Sequence, residues 1–174
     1  MIKTFCFALV LGILTSVSVY TQGNRALPSF EEYRVPLYTG KIKRPKWIRY
    51  SRRDGWRDAL GKLVPDLEVN FAGRFYLTVH SCGTDCRYYT LTDLTTGRDL
   101  DALPGFGSGE PPPTTRDGYE YRERLFYLPD SNLLIAQYEV EKPDENECRE
   151  RSFLFENGRV RPVTPTIYSC RHLE

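Results

Sequence analysis

Residues 70–100, NFAGRFYLTVHSCGTDCRYYTLTDLTTGRDL, decide the fold of this chain. The side chains alternate between two faces in residues 75–80, which predicts a strand with one buried face. Aromatic and β-branched residues dominate residues 88–94, and these residue types favour a second strand. A tight loop, residues 82–86, separates the two runs, and Thr-Thr-Gly at residues 95–97 is typical of a hairpin turn. The stretch therefore predicts a meander of three antiparallel strands.

The N-terminal segment is typical of a cleavable secretory signal peptide. A basic start at Lys3 precedes an apolar run, residues 5–14, that is too short to span a bilayer. We predict a signal peptide in residues 1–23, with cleavage near residues 18–23. The remainder, 24–174, is expected to be a single exported, disulfide-stabilised β domain, periplasmic or secreted, that does not insert into the membrane.

Four cysteines follow the predicted signal peptide: Cys82, Cys86, Cys148 and Cys170. An even number in an exported chain predicts two disulfides, and four cysteines allow three pairings. We favour Cys82–Cys86, which spans a tight turn, and Cys148–Cys170, which would fasten the C-terminal tail. The first closes a short loop and contributes little, whereas the second is expected to stabilise the fold by roughly 3 kcal/mol.

Basic and acidic residues are concentrated in different parts of the chain, although the net charge is only +1. Residues 139–150 are rich in Asp and Glu. Residues 41–57 contain one acidic residue, Asp54, and eight basic ones: Lys41, Lys43, Arg44, Lys46, Arg49, Arg52, Arg53 and Arg57. The basic segment predicts a patch for an acidic partner. Two alternatives stay open: the two segments lie near each other, or both are simply solvated. Nucleic acid is not expected as the partner of an exported chain.

One short helix is predicted in residues 54–63. Trp56, Leu60 and Leu63 fall on one face at helical spacing, and this face is expected to pack against the sheet. Ser29 is a candidate cap for one or two further helical turns near the start of the mature chain.

The second half of the chain predicts two further hairpins. Residues 104–118 are rich in Pro and Gly, which predicts a long exposed loop. Residues 124–141 form a hairpin pattern around a Pro-Asp-Ser-Asn turn, and residues 152–163 form another around Asn157-Gly158. The fold class is therefore mainly β, with antiparallel meanders that form a curled sheet or a two-sheet sandwich.

Two segments share an order of features. Residues 86–98 and residues 148–159 both run from Cys-Arg through a strand to a Gly-Arg turn. This order indicates two copies of one meander unit, similar to propeller blades, although two blades cannot close a propeller. A chance match is the alternative.

The same central stretch contains N-F-A-G, then C-G-T-D-C, then D-L-T-T-G within residues 70–100. It resembles a stretch shared by small exported bacterial proteins that carry no assigned activity. The resemblance implies an exported compartment and a β fold. It transfers no catalytic residue.

The chain offers few residues for catalysis or metal binding. His80, Cys82, Asp85 and Cys86 could be imagined as metal ligands, but the C-x3-C spacing without a second pair favours a disulfide instead. A hydrolase would need His80 beside an acid in a cleft, and Ser81 cannot face its neighbour on a strand. We therefore predict no catalytic residue, no metal and no cofactor.

A binding role is easier to motivate, because tyrosine occurs twelve times and presents contact area at low entropic cost. The alternative is that these tyrosines are strand residues favoured for β propensity. Loops and aromatic residues provide the candidate partner-binding set: Thr84, Asp85, Tyr88, Phe106, Tyr119 and Tyr121.

The sequence thus predicts an exported, non-enzymatic binding protein. It would act as an inhibitor or immunity-type protein on an unidentified protein partner. The first alternative is a structural envelope-associated protein whose basic segment contacts an anionic surface polymer. The second alternative is a hydrolase that uses His80.

Overall fold

A computed structural model of the chain describes residues 27–84, 86–103 and 105–173. The predicted signal peptide with its cleavage region and the candidate residue Asp85 lie outside the described residues. Within the described ranges, no helix has the length and apolar character that crossing a membrane would require.

The described residues form antiparallel strands and one 3-10 turn, Phe30–Tyr33, which follows the predicted cap Ser29. The strands are β1 (Arg49–Ser51), β2 (Gly55–Arg57), β3 (Phe75–Gly83), β4 (Cys86–Asp93), β5 (Arg98–Leu100), β6 (Gly107–Ser108), β7 (Tyr121–Tyr127), β8 (Leu133–Val140), β9 (Glu147–Glu156) and β10 (Arg159–Pro162). They form a β1-β2 pair, a sheet in the order β3-β4-β5 with β6 also on β4, and a sheet in the order β10-β9-β8-β7. The mainly β, antiparallel prediction is confirmed. The sheets are not closed, and the similarity to propeller blades stays a prediction.

The central stretch forms the predicted meander. β3 pairs with β4 from Phe75 opposite Asp93 to His80 opposite Tyr88, and a turn that contains Gly97 leads into β5. Each ladder is antiparallel, as the alternation and the turn residues indicated. The three-strand prediction is confirmed.

The prediction that β3 buries only one face is wrong. Phe75 and Leu77 are buried on one side, and Tyr76, Thr78 and His80 are buried on the other. Residues 41–69 cover this second side, and we call them the covering layer. A strand buried on both faces carries no simple polar face, so local alternation could not reveal the cover.

The main core lies between the two larger sheets. β3 and β4 contribute Phe75, Leu77 and Leu91 to one buried cluster, and β8 and β9 contribute members from the opposite sheet: Leu134, Ala136, Phe153 and Phe155. Aromatic rings meet across this core, with the centroids of Phe75 and Phe155 4.9 Å apart. Burial of these side chains stabilises the fold by about 1.5–3 kcal/mol for each large apolar residue.

The helix predicted in residues 54–63 is wrong. Trp56 lies in β2, and Leu60 and Leu63 are more than half exposed. Gly55 and Gly61 adopt positive φ angles of 80° and 76°, which a right-handed helix does not contain. Glycine also lowers helix stability by about 1 kcal/mol per residue. The segment forms a strand and a turn instead of a helix.

The N-F-A-G motif has a structural role. Asn70 binds the backbone of β3, because its Nδ2 donates to the carbonyl oxygen of Leu77 at 2.9 Å and its Oδ1 accepts the Leu77 amide at 2.7 Å. Phe71 is fully buried. Gly73 has φ 79°, and a Cβ there would lie 2.4 Å from the carbonyl oxygen of Pro36. The motif therefore protects part of the β3 edge and turns the chain tightly.

The two predicted C-terminal hairpins are confirmed. β7 pairs with β8 around residues 128–132, and β9 pairs with β10 around Asn157 and Gly158. The two similar segments, 86–98 and 148–159, cover β4 and most of β9, and each ends at the first residue of the next strand, β5 or β10. The two segments lie in different sheets.

The loop predicted in residues 104–118 is less exposed than expected. It contains β6, which pairs with β4 through Gly107 and Ser108. Phe106 packs against the main core. A carboxylate on β7 explains part of this order, because Oε1 of Glu123 accepts the amide hydrogen of Gly107.

Both predicted disulfide pairings are confirmed. Cys82 is bonded to Cys86 with a Cα–Cα distance of 5.1 Å, and Cys148 is bonded to Cys170 with 5.6 Å. The two disulfides are consistent with an oxidising, exported location.

Glu123 is a buried acidic residue whose ionisation is expected to affect the stability of the fold. The side chain is 3% exposed, and its Oε2 has no hydrogen-bond partner among the residues that the structure describes. Burial raises the pKa of Glu123 from 4.5 to about 7, against the lowering effects of the Gly107 amide and the Arg87 charge. Because the pKa of the folded state is the higher one, stability is lost as the pH rises from about 4.5 through 7.

We expect Glu123→Gln to increase the free energy of unfolding at pH 8 by about 2–3 kcal/mol, and to leave it nearly unchanged at pH 4. Urea denaturation at both pH values measures the effect. Glu120→Gln, at an exposed position, is the matched control and should change little. Equal stability of the wild type and Glu123→Gln at pH 8 would contradict the assignment.

Candidate functional site

A buried polar array anchors the layer that covers β3 and β4. Nδ1 of His80 lies 2.9 Å from Oδ2 of Asp58, and its Nε2 lies 2.9 Å from Oγ1 of Thr90. The Tyr88 ring stacks on the imidazole at 4.6 Å, and the Trp47 ring meets it edge-on at 4.8 Å. His80 is 2% exposed and both ring nitrogens have partners. We interpret this array as the attachment of the layer to the sheet.

The Asp58 carboxylate remains ionised at neutral pH. Burial acts to raise its pKa, but hydrogen bonds from His80 and from the amides of Lys62 and Leu60 outweigh burial, so the pKa is lowered. A carboxyl with a lowered folded-state pKa contributes stability above its unfolded pKa and loses it in acid. At neutral pH the ionised Asp58 therefore stabilises the turn that follows β2, because it accepts hydrogen bonds from the amides of Leu60 and Lys62.

The layer carries the cationic segment, which we define as seven exposed basic residues: Lys41, Lys43, Arg44, Lys46, Arg49, Arg52 and Arg53. Across the described part of the chain, no carboxylate forms an ion pair with any of them. The start of the segment is attached beside the end of β4, because the amide of Lys43 donates to the carbonyl oxygen of Leu94 at 2.7 Å. The positive charge of this segment is thus exposed and largely uncompensated.

The last three residues of the segment lie in the cationic hairpin, residues 49–57, which β1 and β2 form. Arg49 lies directly opposite Arg57 in the ladder. Like charges at opposite positions destabilise a strand pair. Among the hairpin arginines, only Arg57 has a carboxylate partner within the described residues, Asp54 at 3.4 Å. The hairpin therefore concentrates positive charge at some cost to its own stability.

Two aromatic rings accompany these arginines. Tyr50 and Trp56 are opposite residues in the hairpin, with ring centroids 5.0 Å apart in an edge-to-face arrangement. Tyr50 is 59% exposed. Exposed rings beside cations can contact both the charged groups and the apolar faces of a polymer.

The acidic segment, residues 139–150, does not neutralise the cationic segment. Its carboxylates pair with other cations: Glu141 with Arg122, Glu147 with Lys142 and Arg149, and Glu150 with Arg171. The described contacts therefore include no ion pair between the two segments, and the alternative that both are simply solvated stays open.

The structure does not bring the predicted partner-binding residues into one site. Thr84 is exposed in the disulfide loop, and Tyr88 lies on β4 with 39% exposure. Phe106 packs in the core, with its ring 5.2 Å from that of Phe153. Its ring is partly buried against the core, and its role as a contact residue stays a prediction.

The other two tyrosines lie near the start of β7. The Tyr119 ring is contacted by the ammonium group of Lys142 at 5.6 Å. The Tyr121 ring meets that of Tyr138 edge-on at 5.3 Å. Both positions are partly buried. Tyr121, on β7, belongs to a different sheet from Tyr88, on β4.

The imagined metal ligands are used in other ways. Cys82 and Cys86 are bonded to each other, and His80 binds Asp58 and Thr90. In the ranges that the structure covers, no group of His, Cys, Asp and Glu side chains is arranged to hold a metal ion.

Sequence reasoning missed the hairpin that presents the arginines. The Asp54-Gly55 dipeptide between Tyr50 and Trp56 was the available signal, because Asp-Gly between aromatic residues favours a hairpin. The apolar spacing that continues to Leu63 was interpreted as helical instead.

No protein-family model, curated protein or solved structure matches this chain.

Proposed function

We propose that this chain is an exported, non-enzymatic binding protein whose cationic segment contacts an anionic polymer of the cell envelope. The observation that carries the proposal is a run of exposed basic side chains without described carboxylate partners. The two disulfides support an exported location, where such polymers are found.

The shape of the segment favours an extended ligand. Its cations are distributed along residues 41–53 and over a short hairpin, and long flexible side chains can follow a chain of anionic groups. Each exposed ion pair contributes only about 0–1 kcal/mol, so useful affinity requires several contacts at once. Such binding weakens as salt screens the charges over about 10 Å at 0.1 M.

The hydrolase alternative has less support. A substrate atom could use Nε2 of His80 only by displacing Thr90, which lies 2.9 Å away. A proton acceptor must be within hydrogen-bond reach of the reacting group. The array is better suited to fixing the layer.

A protein partner remains the second candidate. Leu63, which is 63% exposed, lines a small cavity of 250 Å³ with Ser81 and Gly83 beside the disulfide loop. Exposed apolar side chains next to a rigid loop suit an inhibitor-type contact.

The test compares polymer binding by the wild type and by a triple variant, Arg49→Gln with Arg52→Gln and Arg53→Gln. We expect the wild type to bind polygalacturonate at low salt, and the variant to bind at least about tenfold more weakly, a loss of about 1.4 kcal/mol. Neutral dextran should bind to neither protein. Co-sedimentation or biolayer interferometry at two salt concentrations provides the measurement.

The matched control removes three exposed arginines elsewhere, with Arg34→Gln, Arg159→Gln and Arg161→Gln. It has the same net charge as the hairpin variant and should retain most of the affinity. Equal losses in both variants would contradict a localised site. Absence of polymer binding together with recovery of a stoichiometric protein from the exported fraction would favour the second candidate.

A further inference from the structure

A separate open cavity of 750 Å³ lies on the β7–β10 sheet. Tyr121, Tyr138 and Arg151 line it, and the register places them on the same face of the sheet as the core residue Ala136. The loop that contains Asp117 and the C-terminal tail complete its walls. Its volume is within the usual range of about 300–1,000 Å³ for sites that bind small molecules.

Arg149 forms a fixed part of the wall. Its two terminal nitrogens donate to the two carboxylate oxygens of Asp117 at 2.8 and 2.7 Å, and its Nε donates to Glu147. The guanidinium also lies 5.0 Å from the centre of the Tyr168 ring. Hydrogen bonds from Arg149 and Thr115 lower the pKa of Asp117. The charge of Arg149 is therefore already compensated.

Arg151 differs from Arg149 in its partners. Its Nε donates to the carbonyl oxygen of Thr164 at 3.3 Å, and its guanidinium lies 5.5 Å from the centre of the Phe153 ring. Across the parts of the chain that the structure covers, no carboxylate forms an ion pair with Arg151. Its planar guanidinium suits bidentate binding of a carboxylate. A partly buried cation without a counter-charge favours an anionic ligand.

Aromatic and hydroxyl groups complete the chemistry. Tyr121 and Tyr138 pack edge-to-face, and burial raises the pKa of both phenols, so their hydroxyls stay protonated and can donate. Tyr168 is 69% exposed at the rim. Thr114 and Thr166 also line the cavity. A ligand that matches these groups has a carboxylate, several hydroxyls and an apolar ring face.

We propose that this cavity binds a single acidic sugar unit, with its carboxylate on Arg151 and its ring against the tyrosines. The site goes beyond the polymer contact proposed above, because the cationic hairpin is not part of its wall. The Cys148–Cys170 disulfide fastens the tail that supplies Tyr168 and Thr166, so it also stabilises one side of the site.

The experiment titrates galacturonate, galactose and acetate into the wild-type protein, followed by calorimetry and by NMR of the aromatic side chains. We expect galacturonate to bind with shifts of the Tyr121 and Tyr138 signals, and the two other probes to bind at least tenfold more weakly. Arg151→Gln should lose at least tenfold in galacturonate affinity. Arg161→Gln, at an exposed arginine that pairs with Glu156, should bind normally.

The triple hairpin variant should bind galacturonate as the wild type does, which separates this site from the polymer contact. Galacturonate affinity that survives in Arg151→Gln would overturn the proposal. So would equal binding of acetate or galactose, or an absence of aromatic shifts in the wild type. The wild-type NMR readout does not depend on whether Arg151→Gln folds.

Discussion

Replacement of Arg171 by alanine is expected to lower the free energy of unfolding by about 3–5 kcal/mol. The reason is Glu150, which is fully buried on β9. Nε of Arg171 donates to Oε1 of Glu150 at 2.6 Å, the Arg171 amide donates to Oε2 at 3.1 Å, and Gln137 donates to Oε2 at 3.0 Å. Removal of the guanidinium leaves a buried carboxylate without its counter-charge. Guanidinium chloride denaturation at pH 7 measures the loss.

The control for this experiment is Arg161→Ala. Arg161 pairs with Glu156 on the surface, where both side chains are about half exposed, and its loss should cost only about 0–1 kcal/mol. Glu150→Gln combined with Arg171→Ala should recover part of the stability, because it removes the unpaired charge. A cost below about 1 kcal/mol for Arg171→Ala alone would contradict the interpretation.

Replacement of both Cys148 and Cys170 by serine is expected to cost about 2–4 kcal/mol. The bond joins residues 22 positions apart, so its loss frees a long loop in the unfolded chain. It also releases the tail next to Arg171, whose contact with Glu150 depends on the position of the tail. Thermal and urea unfolding of the oxidised proteins provide the measurement.

The matched control is the double serine variant of Cys82 and Cys86, which are four positions apart. Because the loop is shorter, the cost should be smaller by roughly 1 kcal/mol in the chain-entropy description. Non-reducing peptide mapping of the wild type must first show both bonds. A larger loss from the short loop than from the long one would contradict the expectation.

Local signals in the sequence predicted most of the strands. The meander of β3, β4 and β5 follows from alternation and from the turn that contains Gly97, and the last hairpin follows from Asn157-Gly158. These features depend on residues that are neighbours in the chain. Both disulfide pairings were also accessible, because one spans a tight turn and the other is the remaining pair.

Long-range packing explains what the sequence could not predict. His80 is buried because Asp58 and Trp47, which are distant in the sequence, pack against it. The alternation within β3 alone could not show that its second face is buried. Residues 54–63 carried both a helical spacing and an Asp-Gly turn signal, and the turn signal prevailed. Tertiary context often decides between such competing local preferences.

The candidate site was predictable only as a charge cluster. The sequence shows the basic residues of 41–57, but their lack of partners depends on where the carboxylates lie. Glu150 pairs with Arg171, 21 positions away, and Asp117 pairs with Arg149, 32 positions away. Such pairs depend on how the loop with Asp117 and the C-terminal tail fold over the sheet, which local sequence patterns do not predict.

Hydrogen exchange in the presence of polygalacturonate most directly tests whether the cationic hairpin is a polymer-binding surface. Mass spectrometry at low salt should show slower amide exchange in residues 49–57 when polymer is added, and the protection should disappear at high salt. The exposed disulfide loop around Thr84 serves as an internal reference and should not change. Unchanged exchange in residues 49–57 under conditions where the polymer is bound would contradict the proposed function.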